Sequence, residues 1–202
     1  MNPEILELFC QSVCDVGLFS WWSASDDGKF QVEFAGTQLW MPPLAEGGPP
    51  CGTIALRFEG QVMTCLLRRE QKVMPADWAD QLQNDSLRPL RLTPQSMKLC
   101  YESGSAEFLE AVHGYAESGL PPSAEDLLSR PARLLFWAGE VGVAVASRRM
   151  ALVSHHGDRD WQLVPGMVSR WWSYWEEYWK VRETDKALPW DYACEVTVPV
   201  ED

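Results

Sequence analysis

Four of the eleven tryptophans in this 202-residue chain lie between Val164 and Arg182. That segment constrains the fold more than any other. At about 100° per residue, Val168, Trp171, Trp172, Trp175 and Trp179 fall on one arc of a helix. Ser169, Arg170, Ser173, Glu176, Glu177 and Lys180 fall on the opposite arc, with Glu176 four residues before Lys180, the favourable order for an ion pair. Pro165 suits the first turn, where a missing N–H costs nothing. Such a stripe needs an apolar surface to lie on, so these indoles are expected to serve as core. A membrane-surface helix would instead line its polar face with Lys and Arg, and this one balances Arg170, Lys180 and Arg182 against Glu176 and Glu177.

The remaining periodicities predict an α+β fold: antiparallel sheet with packed amphipathic helices. Asn2 and Pro3 open a first helix over 3–16, and Ile5, Phe9, Val13 and Val16 share its inner face. From Leu18 to Arg69 the period drops to two. Phe30, Val32 and Phe34 alternate with polar neighbours after Asp26-Asp27-Gly28. Thr37–Met41 reads as a short strand. Thr53–Phe58 and Gln61–Leu67 flank Glu59-Gly60 as a hairpin. A Pro/Gly-rich loop over 42–52 interrupts this meander.

Residues 75–85 suggest a short helix, and 86–95, with Pro89 and Pro94, a connector. Met97–Tyr101 follows as a strand. Ser105–Ser118 reads as a second clear helix, with Phe108, Leu109, Val112, Tyr115 and Ala116 facing inward, and 124–129 as a brief third. Segments 134–137, 141–146 and 150–155 are strands, residues 155–160 a turn, and 192–200 a closing strand. One α+β domain over 1–202 accounts for this, with possible lobes 1–90 and 96–202 that each run helix, strands, helix. No residue-level repeat supports a duplication.

Charge narrows the partners. Seventeen basic against 29 acidic residues give −12, a field that repels nucleic acid and anionic lipid and attracts a basic protein. Half of it is local. Between Lys98 and Arg130 stand six acidic residues, Glu102, Glu107, Glu110, Glu117, Glu125 and Asp126, and no basic one. Uncompensated like charge is a standing cost that a basic partner relieves. The six cysteines form no CxxC pair, which suits free thiols in a reducing cytoplasm. No apolar stretch is long enough to span a bilayer, and MNPEILELF lacks the basic start of a secretory signal.

Signatures of the common hydrolases, P-loop and dinucleotide-binding proteins are missing. Cys10 and Cys14, one helical turn apart, make at most half a metal site. Glu70-Gln71-Lys72 resembles part of a metal nuclease motif, but in a chain that repels DNA. His155, His156, Asp158 and Asp160 form the most chemical-looking group, since imidazole and carboxylate together bind divalent metal. Two readings follow. The first is a non-catalytic cytoplasmic protein, without cofactor or metal, whose acidic residues meet a basic protein partner in the manner of an immunity protein or antitoxin. The alternative is a metal-assisted hydrolase built on His155, His156 and Asp158. A third is a small-ligand module, its pocket lined by Trp40 and covered by the 42–52 loop.

Overall fold

The computed structural model describes residues 1–14, 20–24, 29–41, 52–69, 95–102, 105–116 and 123–184. The helix expected at 75–85, residues 86–94 of the connector, residues 42–51 of the loop, the closing strand and Glu117 lie outside them. The chain is α+β. One antiparallel sheet has the order β1 (Ser20–Ala24), β2 (Phe30–Phe34), β3 (Ile54–Glu59), β8 (Arg149–Ser154), β9 (Gly157–Arg159). The other has the order β4 (Met63–Arg68), β7 (Val141–Ser147), β6 (Ala132–Ala138), β5 (Ser96–Tyr101). The helices are α1 (Pro3–Cys14), α2 (Ser105–Tyr115), α3 (Ala124–Leu128) and α4 (Val164–Arg182), the last entered through a 3₁₀ turn at Trp161–Leu163.

Sequence pattern explains the two sheets' different surroundings. In β2 buried and half-buried residues alternate, Phe30, Val32 and Phe34 pointing inward, as expected of a sheet packed on one face. β6 and β7 are buried along almost their whole length. Leu134, Phe136, Val143 and Val145 join the main core shared with the first sheet. Leu135, Trp137, Ala144 and Ala146 face the other way, onto Phe108, Ala111 and Val112 of α2 and Leu127 of α3. A strand covered on both faces cannot alternate, which is why 134–137 and 141–146 carry no polar side chain.

The expected hairpin at Glu59-Gly60 is a corner instead. β3 and β4 belong to different sheets, and so do β7 and β8. Both crossings occur side by side: β3 pairs with β8 up to Glu59↔Arg149, and β4 with β7 from Met63↔Ala146. Residues 60–62 thus oppose only 147–148, and one extra residue in one strand bends the pair as a bulge does. Gly60 and Gln61 take φ of 76° and 51° there. The Arg148 N–H donates to Gly60 O at 2.9 Å and its Nε to Gln61 Oε1 at 3.1 Å. Strands from 1–90 and 96–202 therefore pair with one another in both sheets.

α1 lies along β5 and seals the main core with Ile5, Leu6, Phe9 and Val13. The ring of Phe9, fully buried, meets Phe34 and Trp161 edge-on at 6.3 and 5.4 Å. Thr37–Met41 is not a strand. Its backbone N–H groups go to three separate partners, Thr37 to Gly52 O, Gln38 to Ser12 O and Trp40 to Met167 O, so no ladder forms.

α4 departs from the expected stripe. Val164 and Met167 enter the core and Val168 packs against it, while Trp171, Tyr174 and Trp175 are half-buried. Trp172 and Trp179 are 54% and 52% exposed. The buried arc is rotated toward Tyr174, whose ring lies 5.5 Å from that of Trp40. An indole tolerates this because its N–H is polar: Trp172 Nε1 donates to Gln38 Oε1 at 3.2 Å. No helix among the described residues is long and apolar enough to cross a membrane.

Candidate functional site

α2 and α3 form a layer on the outer side of the second sheet, held by Phe108, Val112 and Leu127 against Leu135 and Trp137. This contact turns their charged sides to solvent, together with Tyr115 and Leu128, which stay exposed. Glu107 and Glu110 on α2 and Glu125 and Asp126 on α3 are all exposed. Glu102, exposed at the end of β5, adopts φ of 66°, and its N–H bonds Pro131 O at 3.0 Å. The fold thus gathers onto one side four of the acidic residues singled out by the sequence, with Glu102 at the end of the adjoining strand.

Two of them have structural duties. Lys98 Nζ on β5 donates to Glu107 Oε2, and this partner raises the lysine's pKa. Asp126 helps cap α3: the Ser123 hydroxyl accepts from the Asp126 N–H at 3.1 Å and donates to Asp126 Oδ2 at 2.8 Å. Glu102, Glu110, Glu125 and Asp126 have no ion-pair partner among the described residues. Lys98 and Arg130 bound the acidic segment in sequence and fold back on it. Arg130 donates to Asp126 O, a backbone contact that leaves the carboxylate free of a salt bridge.

Beneath this layer Arg133 is buried, directly opposite Cys100 in the β5–β6 pair. Its Nε and Nη2 reach Leu127 O and Leu128 O at the end of α3, at 3.3 and 3.4 Å. Burial lowers its pKa. A cation at the C-terminal carbonyls of a short helix suits the helix dipole.

The histidine cluster sits elsewhere, on the β8–β9 turn. The His155 and His156 rings lie against each other, tilted by 45° with centroids 3.9 Å apart. Asp158 is turned onto Arg57, whose Nη2 donates to both carboxylate oxygens at 2.9 Å. Asp160 caps the 3₁₀ turn by accepting from the Gln162 N–H at 2.9 Å. Partial burial lowers the His155 pKa, helped by His156 and Arg159. No three His, Cys, Asp or Glu side chains converge on a metal-sized point among the described residues.

A cleft of about 550 Å³ that sequence reasoning missed runs between α1 and β5, with Glu107 of α2 at its rim. All six residues of β5 line it. Because side chains alternate across a strand, a hollow touching six in succession follows the strand's edge. Arg69, just past β4, stands with its guanidinium carbon 4.0 Å from the centroid of the Trp137 ring. Nothing in the local sequence of Arg69 marks this role, since Trp137 and Arg69 are brought together by β4–β7–β6 pairing. Comparison with known families, curated proteins and solved structures gives no match for this chain.

Proposed function

We propose that the chain is a non-catalytic cytoplasmic protein whose acidic α2–α3 layer, including Glu107, Glu110, Glu125 and Asp126 with Glu102 beside it, binds a basic protein. One observation carries the reading: these carboxylates share a solvent-facing layer whose other side packs on the second sheet, and Glu107 alone of them has a salt-bridge partner among the described residues. Like charges crowded on a rigid layer raise local negative potential, which speeds the approach of a cationic partner and excludes acidic ones. A net charge of −12 extends that field over the molecule. An inhibitor that occludes a cationic enzyme, as an immunity protein or antitoxin does, has this combination of size and charge.

The test is capture from native lysate with the wild-type chain and with a Glu110→Lys/Glu125→Lys variant. Both positions are exposed and outside the cores, so folding is retained. A basic protein held by the first and lost from the second is the expected result. A set of retained proteins that is the same for both would end the proposal. Geometry gives the metal-hydrolase alternative no comparable support, because Asp158 is already held by Arg57.

A further inference from the structure

We propose that the α1–β5 cleft binds a small organic monoanion, a carboxylate carried on an apolar body. This inference does not depend on the acidic layer's role. The cleft's volume of about 550 Å³ falls in the range of small-molecule sites. Its lining includes Leu6, Leu99 and Leu135, all buried. That wall suits hydrocarbon.

Of the two basic side chains that line the cleft, one lacks a carboxylate partner among the described residues. Lys98 is neutralised by Glu107. Glu7, the remaining carboxylate of the described wall, is exposed and accepts from Gln11 at 3.4 Å. Arg69 differs, because its side chain makes no hydrogen bond or salt bridge among the described residues and stacks on Trp137 instead. Stacking fixes the guanidinium plane and leaves its N–H edges open, the arrangement that receives a carboxylate through two parallel bonds. One unpaired basic side chain, with the Glu7 carboxylate on the same wall and a strongly negative molecule around it, favours a single negative charge over a polyanion such as a phosphate ester.

Octanoate and 1-octanol, matched in chain length and differing in charge, serve as probes in calorimetric titration of the full chain. Octanoate is expected to bind at one saturable site, at least about tenfold more tightly than octanol, the difference one charge-assisted pair supplies. Arg69→Met should erase that preference while leaving the melting temperature unchanged. Arg69→Lys, which keeps charge but loses the planar fork, should retain part of it. Absence of saturable octanoate binding to the intact chain would overturn the proposal. So would an Arg69→Met variant that still prefers octanoate tenfold.

Discussion

Gly142 stands directly across from Trp137 in the β6–β7 pair. A Cβ there would lie 2.7 Å from both Phe136 O and Trp137 Cε3. Neither atom can yield cheaply, one being backbone in a ladder and the other a buried indole. Gly142→Ala is therefore expected to destabilise by about 1–3 kcal/mol, read as a lower denaturation midpoint at unchanged slope. Cys10 makes a second residue-scale prediction. Burial against β5 pushes its thiol up to about 12, with the Leu99 N–H pulling the other way. A group whose folded pKa lies above its unfolded value contributes stability that is complete below the unfolded value and lost as pH rises toward the folded one. Stability should then fall between about pH 9 and 12, by at most roughly 4 kcal/mol from this thiol. In Cys10→Ala that part of the slope should vanish; identical slopes for the two proteins would show that Cys10 is not the cause.

Elements differ in how they use glycine. Gly114, near the end of α2, has open space where a Cβ would stand, with no neighbouring atom within 4 Å, whereas Gly60 at the corner has φ of +76° and Arg148 Cβ at 3.3 Å. Gly114→Ala should stabilise by about 0.4–1 kcal/mol, and Gly60→Ala should destabilise by about 1–2 kcal/mol; thermal melts of the pair would show opposite shifts. This contrast also shows what the sequence can tell. Helices α1 and α2 are legible because a cap and a 3.6-residue stripe are local signals, and β2 because alternation is. Glu59-Gly60 misleads because a hairpin turn and a sheet-to-sheet corner need the same positive φ; only the pairing of β3 with β8, far along the chain, separates them. On α4 the helix is legible but its buried arc is not: Trp172 and Trp179 stand more than half exposed and Tyr174 turns inward, with Trp172 meeting Gln38 through its N–H, a polar edge that apolar periodicity does not anticipate. The acidic residues are legible as a run, whereas Lys98 closing on Glu107 and the cleft at Arg69 depend on which strands become neighbours.

At the scale of the molecule, two sheets built from interleaved strands make a scaffold on which α2 and α3 pack and turn charge outward. Helices already packed in this way need no folding when a partner arrives. The Trp172 and Trp179 side chains standing out from α4 are a separate feature, distant in sequence from the acidic layer. If the α2–α3 carboxylates govern association with a basic protein, ionic strength should control how fast the captured partner binds. Its association rate, measured from low to high salt with the wild-type chain and with Glu110→Lys/Glu125→Lys, is expected to fall steeply with salt for the wild type and to be slower and much flatter for the variant. Superimposable salt dependences for the two proteins would contradict it.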